Sequence, residues 1–200
     1  MKQKILTLSA AFLCLFGLLA CVNLKPVPSE TQSFILGPVA MVPKVQNADV
    51  KEAIYIMRPQ VPTYLDGSRL SYRSASGEVK TIPRARWAEP LAEGIGRAMS
   101  LYISGSSLHG PAHGYYPWPN TSSDASRLSI NFQRFAATNT GEVLVVAIWS
   151  LKRNDGSSAS GQYTSESLKW TVGQPETMVA AYNQALRALV HEIGKGASAR

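Results

Sequence analysis

The sequence is short of cysteine. Its 200 residues hold two, Cys14 and Cys21, too few for a disulfide framework or a cysteine-rich zinc site. Acid is scarce too: 13 Asp and Glu stand against 20 Lys and Arg, and Asp66, Glu89, Glu93, Asp124 and Asp155 are too scattered to suggest an acid–base pair. There are three histidines. His109 and His113 stand four apart in Leu108-His-Gly-Pro-Ala-His-Gly114, where glycine and proline oppose a helix and no Glu follows His109 as a zinc-protease motif requires. The pair reads as solvated loop rather than metal site, and His191 as a surface residue near a helix C-terminus. Gly-x-Ser-x-Gly, a phosphate loop and a dinucleotide fingerprint are all missing. These absences argue against an enzyme and give no reason to expect a metal or cofactor. The formal charge of +7 is spread along the chain. It suits an anionic membrane surface and forms no block of the kind that marks a nucleic-acid partner.

What is present is ordinary globular composition, 45% hydrophobic and 16% charged, enough for one domain with its own core. Ahead of it stands a short basic start, Lys2 and Lys4, and then the apolar run Ile5–Ala20. That layout reads as a secretory signal over residues 1–20, shorter than the ~20 apolar residues a comfortable span needs. Leu18-Leu19-Ala20-Cys21 resembles the bacterial lipoprotein box, in which the cysteine is acylated and becomes the first mature residue. Cys14 then leaves with the signal and no intramolecular disulfide is possible. The only non-protein group expected is the lipid on Cys21. Val22 is not the Asp that marks retention at the inner membrane, so the outer membrane, facing the periplasm, is the expected location. Residues 21–32, with Pro26 and Pro28, read as a flexible tether.

The expected domain runs over 33–194, with a polar tail at 195–200. Strand candidates are Ser33–Leu36 and Glu52–Met57, followed by a hairpin of Arg69–Arg73 and Glu78–Ile82 across Ser76-Gly77. Trp87, Leu91, Ile95, Ala98 and Tyr102 recur at helical spacing, predicting a helix from Ala88 to Ser104 with Pro90 in its first turn. Gly94 and Gly96 in this helix are read as close-packing positions against a sheet. Arg127–Phe135, Glu142–Leu151 and Gln162–Val172 form an antiparallel meander, joined by turns at Asn139-Thr-Gly141 and Asn154-Asp-Gly156. The middle strand is apolar enough to be buried on both faces. Ser157–Gly161 reads as a hairpin tip. A last helix opens at Pro175 and closes at Gly194, with Met178, Tyr182, Leu186, Leu189 and Ile193 as its buried stripe. The fold class is α/β, α+β-like in character: one domain, a mixed sheet and two main helices packed on it.

Residues 104–126 form a long loop carrying Tyr115-Tyr116-Pro-Trp118-Pro119. Two readings stand: the aromatics pack against a partner subunit, lipid or glycan, or they fold back over the domain's own core.

Two segments taken together carry a resemblance. Val61-Pro62-Thr-Tyr64-Leu65-Asp66 leads into Arg69-Leu-Ser-Tyr-Arg73, and Arg86-Trp87-Ala-Glu89-Pro90-Leu91 opens the first helix. With the preceding lipobox, this resembles the ABC-type transport auxiliary lipoprotein family, over Cys21 to about Ile193. Phe34 replaces the family's tyrosine in Ser33-Phe-Ile-Leu-Gly-Pro38, and the long aromatic loop has no placement in the pattern. The resemblance implies a non-catalytic lipoprotein that works with proteins of the mammalian-cell-entry (MCE) domain class, moving lipids or other hydrophobic molecules between the membranes. It also implies assembly of several copies, a ring among the options, and contact with phospholipid. The motif side chains themselves read as structural: Trp87 as core, Pro62 as a stiffener, Tyr64-Leu65-Asp66-Gly67 as a turn with Asp66 bonded to backbone. Two other functions fit the same composition, an outer-membrane assembly or structural lipoprotein and, more remotely, a membrane-bound hydrolase.

Overall fold

Two long strands form the spine of the sheet. β6 (Ser126–Thr138) and β7 (Glu142–Lys152) run antiparallel, and their alternating side chains put Leu128, Ile130 and Phe132 on the same face as Val145, Ala147 and Trp149. The computed structural model describes residues 30–38, 53–106, 112–113 and 125–198, and Thr31–Arg200 forms one compact unit.

Every other described strand is placed by these two. The first half of β6 takes β2 (Ile54–Ile56) in parallel, and β5 (Ala112–His113) extends the sheet beyond β2. The last residues of β6 take β3 (Arg69–Arg73), again in parallel. β3 forms a hairpin with β4 (Val79–Trp87), and β4 takes β1 (Gln32–Phe34) in parallel. On its other side β7 pairs with β8 (Ser158–Thr164) and, nearer its start, with β9 (Leu168–Lys169). The result is a mixed sheet that branches at β6.

Helices α1 (Leu91–Ser104) and α2 (Pro175–Ser198) touch each other and lie on one face of this sheet. Their apolar stripes are the expected ones: Leu91, Ile95, Ala98 and Tyr102 on α1, Met178, Tyr182, Leu186, Leu189 and Ile193 on α2 are all buried. Each Leu, Ile or Met side chain among them contributes about 1.5–3 kcal/mol on burial. Tyr182 is the hub of the core. Its ring stacks on Phe135 at 4.1 Å and lies 6.2 Å from Trp87. Burial pushes its hydroxyl well above the usual tyrosine range, and a hydrogen bond with the Ala137 backbone pulls weakly the other way.

Trp149 fills the opposite end of the core in a slot made by two glycines. Gly161 is its register partner on β8, and a Cβ there would stand 2.9 Å from Cζ2. A Cβ on Gly196 of α2 would stand 2.7 Å from the same ring. The indole therefore needs hydrogen on both sides, and its Nε1 is buried without a partner.

The structure moves several expected boundaries. α1 starts at Leu91 rather than Ala88, because Pro90 is its cap with extended ψ of 140° and the Ala88 N–H donates to Phe34 O at the end of β1. β1 covers Gln32–Phe34 rather than Ser33–Leu36. β4 continues past Ile82 to Trp87 through a bulge at Pro83–Arg84, where Arg84 takes a φ of 58°. Gly94 faces the Glu89 side chain rather than the sheet. β7 is not buried on both faces: Leu144 and Val146 are half-buried and Ile148 is 49% exposed. The strand expected over Gln162–Val172 is two pieces, interrupted where Ser165 Oγ accepts the Val145 N–H at 2.9 Å. Val172 is exposed, and Ser158–Gly161 belongs to β8 rather than to a hairpin tip. α2 runs through Gly194 to Ser198, so Lys195–Ser198 is helix and not tail.

Candidate functional site

The chain leaves β2 in extended form, kept so by Pro59 and Pro62, and Gln60 bridges to Asn131 of β6. Thr63–Leu65 then makes one 3-10 turn. Leu65 is buried and holds the turn to the core, while Tyr64 points outward, 51% exposed. Asp66 ends the turn. Its side chain does not bond to backbone as a turn aspartate does. Oδ2 accepts from Arg58 Nη2 at 2.9 Å, and Oδ1 is buried without a partner.

The two sequence segments that carry the family pattern meet here. The Trp87 N–H donates to Ser68 O at 2.7 Å, and the Leu91 N–H donates to Gly67 O at 3.3 Å. The turn after Asp66 is thereby fastened to the end of β4 and to the first residue of α1. Trp87 is buried and directs its ring at Tyr182. Arg86, on the other side of the strand, is exposed, and its Nε donates to Ser33 Oγ of β1 at 3.1 Å.

Glu89 closes the corner. Arg97 of α1 donates from Nε and Nη2 to Glu89 Oε1 at 2.9 and 2.6 Å, and its Nη2 also donates to Leu36 O at 2.8 Å. The Gly37 N–H donates to Asn183 Oδ1 of α2 at 2.8 Å. One carboxylate and one guanidinium thus tie the exit of β1 to α1, and an amide ties it to α2. This corner positions backbone and presents Arg86, Arg69 and Tyr64 outward. The contacts hold the shape of this corner.

Cys21 and the loop aromatics Tyr115, Tyr116 and Trp118 lie outside the described residues, as do His109 and the side chain of His113. Among the described residues no group of three His, Cys, Asp or Glu could hold a metal ion, and no helix is long and apolar enough to cross a membrane. Pro62, Tyr64, Leu65, Asp66, Arg86, Trp87, Glu89, Pro90 and Leu91, far apart in sequence as two groups, are brought into one corner by the β3–β4 hairpin. The structure adds Arg58, Arg97 and Asn183, which carry no local sequence signal because their partners are 8, 8 and 146 residues away.

The family model for the ABC-type transport auxiliary lipoprotein component matches residues 34–194. Among solved structures, the chain is similar to an uncharacterized protein at a TM-score of 0.67 and 18% identity, over 84% of this chain and 100% of the other. It is also similar to protein XCC0632 from Xanthomonas campestris, assigned to the DUF330 family, at a TM-score of 0.53 and 18% identity, over 82% of this chain and 91% of the other. At that identity the likeness is one of fold. No curated protein matches the sequence.

Proposed function

Since the chain belongs to the ABC-type transport auxiliary lipoprotein family, we propose that it is a lipid-anchored component of an envelope transport system, held at the outer membrane by acyl chains on Cys21 and facing the periplasm. Its transport-associated auxiliary role follows from the family. The finer reading is that it binds an MCE-domain subunit and helps move lipids or other hydrophobic molecules between the two membranes without itself catalysing a reaction.

The observation that carries this reading is the joint occurrence of the family match over 34–194 and the Leu18-Leu19-Ala20-Cys21 box before it. Physical support comes from two features. Each buried lipid methylene contributes about 0.8 kcal/mol, so two or more acyl chains anchor a protein firmly. The stretch from Cys21 to Gln32 reaches about 35 Å when extended, enough to let the domain stand off the bilayer and meet a partner. The corner around Glu89 and Arg97 supplies a fixed surface for that meeting, with Tyr64 exposed on it.

The test is mass spectrometry on protein purified from its own membranes in mild detergent, scoring bound proteins and lipids together. The reading expects an MCE-domain or transporter subunit enriched over an unrelated lipoprotein control. Enrichment of outer-membrane assembly factors with no transporter subunit would replace it with an assembly role.

A further inference from the structure

We propose that the face of the sheet opposite the helices is a docking surface for an anionic phospholipid bilayer. Both helices lie on one side of the sheet, and no described helix covers the other. Strand register decides which side chains stand there. On β3 they are Arg69 and Arg73, and Arg86 of β4 sits directly across from Arg69. On β6 they are Arg127 and, after the bulge at Gln133, Arg134; Lys152 of β7 sits across from Arg127. All six are exposed, and none has a carboxylate partner among the described residues. The acid on the open face of the spine strands is Glu142, and Lys169 neutralises it at 2.7 Å. Edge strand β8 contributes the neutral Ser158, Ser160, Gln162 and Thr164.

Like-charged residues placed opposite each other in a sheet, as Arg69 with Arg86 and Arg127 with Lys152, are destabilising. Two such pairs on one face indicate a counter-charge supplied from outside. Within this field β7 presents an apolar row, Leu144, Val146 and Ile148, with Ile148 49% exposed.

The arrangement fits a plane of phosphates better than an acidic protein segment. From Arg127 to Arg134 along β6 the cations extend about 23 Å, and from β4 to β7 they span about 15 Å across the strands. They form a two-dimensional field rather than a single line of cations. The apolar row matches the depth at which an interfacial side chain meets the headgroup boundary. The segment that would carry the anchor enters the sheet at β1, whose Ser33 is bonded to Arg86 at the edge of this field. The inference rests on the envelope reading for the nearness of a bilayer, but it does not require acylation of Cys21.

The experiment places a bimane label on Ile148→Cys in the full chain, with His191→Cys on the exposed side of α2 as the control. The protein is presented to phosphatidylcholine vesicles carrying a headgroup nitroxide quencher, with or without phosphatidylglycerol. The proposal expects quenching at position 148 and not at 191, only with phosphatidylglycerol. High salt should abolish it, because screening shortens from about 10 Å at 0.1 M to about 3 Å at 1 M. Arg127→Gln and Arg134→Gln should each lower the quenched population about fivefold, while Arg134→Lys keeps it. Quenching indifferent to phosphatidylglycerol and salt would overturn the proposal. So would a label that ignores lipid and responds only to an added acidic protein, which would make the face a protein interface. Intact mass reads acylation separately: an unacylated protein that still shows the phosphatidylglycerol effect removes the anchor and keeps the docking face.

Discussion

Replacing Gly161 by alanine tests how the core is assembled around Trp149. Alanine ordinarily improves a strand relative to glycine, by about 0.5–1 kcal/mol, because less backbone freedom is lost on folding. The structure opposes this. The new methyl would stand 2.9, 3.0 and 3.1 Å from Cζ2, Cε2 and Nε1 of an indole that is 2% exposed. Carbon pairs prefer about 3.5–4.0 Å, and the ring cannot slide away because Gly196 confines it from the helix side at 2.7 Å. Overpacking of this kind costs about 1–3 kcal/mol, so Gly161→Ala should lose about 0.5–2 kcal/mol net. For a domain of this size that lowers Tm by roughly 1–8 °C. The assay is thermal unfolding followed by far-ultraviolet circular dichroism in non-ionic detergent. Trp149→Phe serves as a second background. Phenylalanine lacks the crowded atoms and also removes an indole N–H that is buried without a partner, so Gly161→Ala should become neutral or stabilising there. A Gly161→Ala protein as stable as the parent, or one that loses the same amount in both backgrounds, would refute the two-glycine slot.

Glu89→Ala should cost about 1 kcal/mol, less than a buried ion pair, because both partners are about one-third exposed and Arg97 keeps its bond to Leu36 O; urea denaturation measures it, and an unchanged midpoint would contradict the corner. The contribution of Tyr163 to stability should be level below pH 10 and fall as pH rises toward about 12. Tyr163 is pushed up to about 12, by burial first and then by Glu166 and Glu192, while the unfolded phenol ionises near 10; the unfolded state then releases its proton first and is favoured. Tyr102 is raised in the same direction by burial. Tyr163→Phe should blunt the alkaline loss, as read by urea midpoints across the pH series. Cys21→Ser should move the protein out of the membrane fraction on sedimentation in about 1 M salt, where charge-driven docking is screened; full retention there would rule out acyl anchoring at this residue.

Local pattern made the β3–β4 hairpin and both helical stripes readable in advance, since each is stated by residues within a few positions of one another. Features set by a distant contact are not stated locally. Pro83 looks like the end of a strand, but a bulge carries β4 on to Trp87. Gly194 looks like a helix stop, but α2 continues to Ser198, and its Gly196 packs against Trp149. The apolar run of β7 looks like a fully buried strand. Half of it instead lies on the face that no described helix covers, a fact that depends on which side both helices choose. The candidate site was legible as two motifs but not as one corner. Their meeting depends on the hydrogen bonds from Trp87 and Leu91 to Ser68 and Gly67. The Asp66–Arg58 pairing replaced an expected backbone bond for a similar reason: the guanidinium is eight residues away, brought near by the extended Pro59–Pro62 segment. The cationic face was visible only as a net charge until register sorted the arginines by side.

The proposed role is an auxiliary one in envelope transport, exercised through a partner subunit. The most direct measurement is detergent purification from native membranes followed by mass spectrometry of what remains bound. The expected result is co-purification of an MCE-domain or ABC-transporter subunit at a level well above that seen with an unrelated lipoprotein, and loss of it when the exposed Tyr64 is replaced by alanine. Recovery of the acylated protein with neither such a subunit nor lipid would contradict it.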